Sequence, residues 1–422
     1  MAAAPAQLQL RMPRGLLDPG LRDLGCGDGD GLVTVRLQLA DGRIAAITAA
    51  APGPVGDAGP PLAITPPVDA HVHLDKAFSW GAFPNRDGTM AAALALNLQE
   101  GEQRSLAQVL ERGERALEQA WRYGLRALRS HVDSGSACGQ PSWEALLQLQ
   151  KQWRGRIDLQ LVALAPLPFW SQPEGELLAR QWAASGGLLG GVIGPPFADS
   201  NRDGESLQRL LQLAADLGCG IDLHIDESVE APAAGLQLLL RQLDRWHPGV
   251  PITCSHASSL ALLPEGRARR LAQRMQRHRL AVVALPTTNF WLLGRPKEQQ
   301  MARRPSAPVR LLQQEGVAVA IGADNVQDPW YPGGDFDPLE LLRLAFRAFH
   351  TPPWQRQGLM PFTTIPSALM NLAWDGVLRV GGPADLLLTS ATCWSDVLAR
   401  PPQRRVLRQG QWLPAPESIS LL

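Results

Sequence analysis

The sequence predicts an α/β protein, a (β/α)8 TIM barrel with a small β-sandwich domain built from its two ends, and three observations carry that expectation. Apolar, β-branched or Leu-rich runs recur along the middle of the chain. Segments with helical spacing of apolar residues separate them, and five of the eight histidines fall at or near the ends of those runs. Nearly continuous apolar strands alternating with amphipathic helices are the pattern of a parallel sheet covered by helices, and eight such units close a barrel.

The expected barrel strands are, in order, 64–74, 125–132, 157–165, 188–193, 220–225, 252–256, 280–285 and 317–321. From the second onward their starts lie roughly 30 residues apart, the length of one strand, one helix and two short loops. Leu207, Leu210, Leu211, Ala214 and Leu217 mark one intervening helix by their 3.6-residue period, and the Ala-, Leu- and Arg-rich stretch 267–278 marks another. Ahead of the barrel, 33–39 and 44–47 read as short alternating strands, and the Gly/Pro-rich stretch 51–61 reads as a linker. Behind it, 386–389 and 405–413 read as strands again. The expected division is therefore residues 1–60 and 379–422 as two parts of one small β domain, with the barrel at 61–378.

A chain of 422 residues is long enough for such a barrel and an accessory unit. Lys plus Arg, 40 in all, balance 40 Asp plus Glu without a long block of either sign, which argues against a nucleic-acid partner. The five cysteines are odd in number, scattered and without C-x-x-C spacing, so neither a disulfide framework nor a thiolate metal site is expected. Gln, Arg and Pro interrupt the N-terminal stretch before an apolar targeting segment forms, and no later run reaches bilayer length. A cytoplasmic chain with no membrane partner is expected, and assembly into a homo-oligomer is compatible with all of these features.

His71 and His73 stand at i and i+2 on the first expected strand, so both imidazoles point to one side and can share an ion at about 2.0–2.1 Å. His131, His224 and His256 fall at the ends of the second, fifth and sixth strands, and Asp324 follows the eighth. That is the face on which barrel enzymes place their sites. Each residue alone has an ordinary structural reading, Asp324 for instance as a helix cap. Together, His71, His73, His224 and Asp324 make a ligand set for one divalent ion with a coordination position left for water.

The segments Val68-Asp69-Ala70-His71-Val72-His73-Leu74-Asp75, Ser130-His131-Val132-Asp133, His224-Ile225-Asp226-Glu227, Ser255-His256-Ala257 and Asp324-Asn325-Val326-Gln327-Asp328-Pro329-Trp330-Tyr331-Pro332 resemble the cytosine deaminase branch of the amidohydrolase superfamily. So does Gly381-Gly382-Pro383-Ala384-Asp385-Leu386, similar to the turn by which that superfamily re-enters its small β domain. The resemblance implies a metal-dependent hydrolase of non-peptide carbon–nitrogen bonds that removes an exocyclic amino group from a small nitrogen heterocycle as ammonia. It implies one Zn2+ or Fe2+ on the four ligands, lowering the pKa of water toward neutrality. It further implies that Asp324 takes the proton from that water, that Glu227 passes a proton to the ring nitrogen, and that His256 steadies the hydroxide and the developing oxyanion. Trp330 resembles the family tryptophan that packs on the substrate ring, and His131, Asn325 and Pro166 complete the expected substrate-binding group.

Two departures from the family pattern fall at the substrate. Pro166 stands where the cytosine deaminases carry a glutamine that reads the pyrimidine edge, and its side chain offers neither donor nor acceptor. Asn325 replaces the second of the family's paired aspartates. Loss of the reading amide costs a cytosine ligand roughly 1–3 kcal/mol in unpaired polar groups, which disfavours cytosine. Lys76, just past the first strand, adds a cation at the pocket rim if it points inward. Release of an alkylamine from a triazine-like ring, opening of a cyclic amide, and a catalytically inactive barrel used for binding are the competing expectations.

Overall fold

Eight parallel strands follow one another in chain order, each paired with its predecessor, in a computed structural model that describes residues 2–25, 27–51, 59–136, 138–195, 200–295, 304–400 and 402–414. They are β1 (Val68–Val72), β2 (Ala127–Asp133), β3 (Asp158–Pro166), β4 (Leu188–Ile193), β5 (Ile221–Ile225), β6 (Ile252–His256), β7 (Ala281–Ala284) and β8 (Ala318–Ile321). All five residues of β1, of β5 and of β6 are buried, as strands covered on both faces must be. Part of the expected linker, residues 52–58, lies outside the described residues.

The first and last strands meet at a short seam. An isolated parallel bridge joins Val72 to Asp324, and the Asp324 amide donates to the His71 carbonyl at 3.0 Å. Below it, the Asp69 carboxylate accepts from the His71 and Ala323 amides, both at 3.0 Å. Gly322 is required beside this clasp, since a Cβ there would stand 2.9 Å from Asp69 Oδ1.

The run expected at 64–74 divides in two. Ala63–Ile64 pairs with Leu387 and Leu388 in a different sheet, and β1 begins only at Val68. The break falls at Pro66-Pro67, two residues with no N–H to give a ladder. The other seven expected strands overlap β2 to β8. In the helix Ser200–Leu217 the expected stripe is largely inward, with Leu207, Leu210, Leu211 and Ala214 fully buried. No helix among the described residues is long and apolar enough to cross a membrane, and the four described cysteines are free.

The chain divides into two compact units, Asp69–Leu117 with Ala127–Phe336, and Met1–Val68 with Glu118–Arg126 and Asp337–Leu422. The second holds two antiparallel sheets. In the larger, the strands run Ala2–Ala3, Gln411–Trp412, Arg404–Arg408, Leu386–Thr389, Ala63–Ile64, so both ends of the chain share one sheet. The smaller joins Gln7–Pro13, Leu32–Ala40 and Arg43–Ala49. Leu10, Met12, Val35 and Leu37 of the smaller sheet share one core cluster with Leu386, Leu407 and Trp412 of the larger, giving the expected small sandwich.

Beyond β1 and β2 lies a buried ion network. Arg104 donates to Asp75 Oδ2 at 2.8 Å, to Glu100 Oε2 at 2.9 Å and to Asp133 Oδ2 at 3.3 Å, while the Lys76 ammonium donates to Asp133 at 2.8 Å. Burial opposes ionisation of Asp133, but the charges of Lys76 and Arg104 prevail and hold its pKa below the usual carboxylate range. Lys76 is thus a buried partner of Asp133. Removing one member of a buried ion group leaves its partners uncompensated, typically at about 3–5 kcal/mol. Arg104→Met, which keeps the length and apolar volume of the stem, is expected to lose stability on that scale in thermal or guanidinium unfolding; a midpoint equal to wild type would show that the network contributes no net stability.

Candidate active site

The C-terminal ends of β1, β5, β6 and β8 bring five expected residues into one buried cluster. His71 lies in β1 and His73 one residue past it, His224 in β5, His256 at the end of β6, and Asp324 three residues past β8. His73 Nε2 stands 3.4 Å from both His71 Nε2 and His224 Nε2. Asp324 Oδ1 lies 3.3 Å from His73 Nε2 and 3.5 Å from His71 Nε2. Ligand atoms at 2.0–2.1 Å from the centre of a tetrahedron stand about 3.3–3.4 Å apart, so these spacings fit a single small cation.

The protonation states fit as well. Burial lowers the pKa of His71 and, together with the neighbouring imidazoles, drives that of His224 well below its ordinary value. Burial opposes ionisation of Asp324, but the His71 and His73 rings outweigh it and its pKa falls well below the usual range. Neutral imidazoles with an ionised carboxylate are what metal binding demands. Both Asp324 oxygens, on a residue only 1% exposed, lack a hydrogen-bond partner in the protein, as does His73 Nδ1. A buried carboxylate left so calls for a cation.

One ligand is held from behind. Ser255 Oγ donates to Asp222 Oδ1 at 2.7 Å and therefore accepts from His71 Nδ1 at 2.8 Å, which places the His71 proton on Nδ1 and frees Nε2 for the cluster. Asp222 in turn receives Arg129 Nη1 at 2.7 Å. The spacing of Asp222 and His224, i and i+2 on β5, is a signal that both face inward. Arg129 and His131 share the same i, i+2 spacing on β2, whereas Ser255 carries no comparable signal.

Glu227 follows β5 by two residues and is 16% exposed at its side chain. Burial, reinforced by the charge of Asp324, raises its pKa well above the ordinary glutamate value, which favours the protonated form. Its Oε1 lies 3.5 Å from His256 Nδ1. Burial pushes the His256 ring down to about 3. Asn289, which the sequence analysis did not single out, donates Nδ2 to His256 Nδ1 at 2.9 Å and approaches Glu227 Oε1 at 3.4 Å.

Three positions here have left-handed backbone, Asp226 (φ 55°), His256 (φ 67°) and Asp324 (φ 64°). At Asp226 the turn lets the carboxylate accept from the Gly235 and Leu236 amides, both at 2.8 Å, which caps the helix Ala234–Arg245.

The remaining expected residues distribute unevenly. His131 is fully buried and stacked on His71, with ring centroids 3.9 Å apart, and its ring nitrogens have no hydrogen-bond partner in the protein. Asn325 donates to Asp328 Oδ2 at 2.7 Å, and Asp328 Oδ1 accepts from the amides of Trp330 and Tyr331. The amide at 325 thus orders the loop that carries Trp330, where an aspartate would repel Asp328. Trp330 is half-buried and its indole Nε1 has no protein partner. Pro166 is exposed at the end of β3, with its Cδ 2.9 Å from where a Cβ on Gly135 would lie.

Residues 86–413 match the amidohydrolase family. The chain is 33% identical over 390 residues to a pterin deaminase from Rhizobium rhizogenes, an alignment that covers 90% of this chain and 88% of that protein. It superimposes on a 5-methylcytosine deaminase from Klebsiella pneumoniae liganded with 5-fluorocytosine, with a TM-score of 0.79 and 25% identity across 92% of this chain and 95% of the other. An N-isopropylammelide isopropylaminohydrolase from Burkholderia multivorans gives a TM-score of 0.70 at 25% identity, over 97% and 98% of the two chains. With the barrel and the His/Asp cluster already in place, these likenesses establish that the chain belongs to the amidohydrolase family, in its cytosine deaminase-like branch, and is a hydrolase of carbon–nitrogen bonds other than peptide bonds.

Proposed function

We propose that the chain hydrolyses an exocyclic C–N bond of a small nitrogen heterocycle, a pterin first among the candidates, and releases ammonia. One arrangement carries the reading: His71, His73, His224 and Asp324 meet at ligand spacing in a buried cluster, and Glu227 lies beside it with Oε1 3.5 Å from His256 Nδ1 and its pKa pushed up by burial. A ligand set with such a carboxyl beside it supplies a proton acceptor and a proton donor in one site.

His71, His73, His224 and Asp324 would hold one divalent ion, zinc or iron, which lowers the pKa of water and so supplies a nucleophile at neutral pH. Asp324 accepts at its carboxylate the proton that water gives up. Glu227 gives its proton to the ring nitrogen beside the attacked carbon, the proton held by Asp324 goes to the amino nitrogen so that it leaves as ammonia, and the hydroxyl proton returns to Glu227 as the carbonyl forms. His256 presents Nε2, buried and without a protein partner, to the oxygen that develops charge. Trp330 offers a flat face to the ring.

The pterin class is favoured by the pterin deaminase relative, which aligns along nearly the whole chain, and cytosine is disfavoured by Pro166, which cannot hydrogen-bond a pyrimidine edge. A second reading, release of an alkylamine from a triazine-like ring, has support in the likeness to the isopropylaminohydrolase.

Metal-reconstituted protein assayed across pterins, pyrimidines, purines and alkylaminotriazines is expected to release ammonia from a pterin. Alkylamine without ammonia would favour the second reading, and no product from any of these rings would overturn both. Glu227→Gln is expected to keep its metal while turnover falls about 100-fold or more; wild-type turnover would remove the proton-transfer role. Ser255→Ala is expected to weaken metal affinity about 10- to 100-fold by releasing the His71 tautomer, as read by competition with a chelator; an unchanged affinity would mean that the Ser255–Asp222 pair does not support the ligand.

A further inference from the structure

We infer that Asn289 is a positioning residue: its side-chain amide decides which nitrogen of His256 carries the proton, and it holds the Glu227 carboxyl beside that ring. The inference rests on the reading of Glu227 as the proton donor and of His256 as the group that steadies the developing oxyanion.

Asn289 lies in the short helix Pro286–Leu292 that follows β7, and it is 0% exposed. The helix is fastened to the neighbouring strand end, since Thr287 Oγ1 donates to the carbonyl of Ala323, the residue before Asp324, at 2.6 Å. The backbone of Asn289 is fixed on both sides, its N–H on the Leu285 carbonyl at 3.2 Å and its own carbonyl taking the Leu293 N–H at 3.0 Å. Its amide is therefore delivered to the cluster by a rigid element.

Once delivered, Nδ2 has two protons and two neighbours, His256 Nδ1 at 2.9 Å and Glu227 Oε1 at 3.4 Å. A nitrogen that receives an N–H cannot carry one itself. In a neutral ring the proton must then sit on Nε2, the atom that has no protein partner. That makes His256 a hydrogen-bond donor toward the reacting oxygen. The opposite orientation of the amide would place Oδ1 between a protonated Nδ1 and the Glu227 hydroxyl. It would leave Nε2 as a bare acceptor, facing a developing negative charge that it could only repel. A neutral ring takes one of these two tautomers, and Asn289 Nδ2 at 2.9 Å stands closer to Nδ1 than Glu227 Oε1 at 3.5 Å, so Asn289 makes the choice.

The test reads the tautomer directly. Zinc-loaded protein labelled with 15N-histidine, without substrate, is examined by long-range 15N–1H correlation, and the His256 signals are assigned by their loss in His256→Gln. Wild type is expected to show protonated Nε2 and bare Nδ1. Asn289→Asp, which keeps the shape but replaces the donor by an acceptor, is expected to move the proton to Nδ1. Its kcat is expected to fall about 10- to 100-fold with KM within about threefold and metal content unchanged. A wild-type ring protonated on Nδ1 overturns the inference without the use of any variant, so it stays testable if Asn289→Asp fails to fold. So does an Asn289→Asp protein with the wild-type tautomer and kcat. Because the tautomer is read without turnover, a mistaken substrate assignment leaves this result standing, and a working deaminase with Nδ1–H would sink the inference alone.

Discussion

Asp69 is 3% exposed, and its two oxygens bind the amides of His71 and Ala323, the latter 254 positions away in the chain. Burial pushes this carboxyl up to about 7 against the pull of those two amides. The clasp closes the barrel between its first and last strands, and Asp324 sits one residue past the clasped Ala323 with its own amide on the His71 carbonyl. The imidazole and carboxylate that must meet at one cation are therefore placed by the seam itself. His73 follows by strand spacing, while His224 and His256 follow by the register of β5 against β6, in which Ile225 lies opposite His256.

Around that seam the interior sorts its titratable groups by charge. Imidazoles crowded at close range are kept neutral by burial, which also removes their mutual repulsion. Burial and the charge of Asp324 raise the Glu227 pKa, while that of Asp324 is lowered, so the two carboxyls are pushed toward opposite protonation states. Where charges are kept, they are matched: Arg104 and Lys76 with Asp75, Glu100 and Asp133, and Arg129 with Asp222. Both oxygens of Asp324, by contrast, lack a hydrogen-bond partner in the protein, and that contrast points to where a cation belongs.

The barrel was legible because its strands are apolar runs of nearly constant period, and the four candidate ligands because His71, His73, His224 and Asp324 fall at strand ends. Those are properties of one dimension. The run at 64–74 misled because apolar character continues through Pro66-Pro67 while hydrogen bonding does not. Asn325 is expected at the substrate, and its Nδ2 also bonds Asp328, three residues on, in the loop that carries Trp330. Asn289 and Ser255 stayed hidden because their partners lie far along the chain. Each is an ordinary residue type whose importance lies only in what it touches, and those contacts span 33 positions for Asn289 with His256 and 184 for Ser255 with His71.

The left-handed backbone at His256 and Asp324 has an evolutionary consequence. Such conformations cost non-glycine residues on the order of 1–3 kcal/mol each, so the chain is least relaxed where its reactive groups are displayed. Replacement by glycine would ease the backbone at either position while deleting the side chain that the strain presents. Selection for heat tolerance alone would be drawn to these positions, and the durable descendants it produced would be poor catalysts.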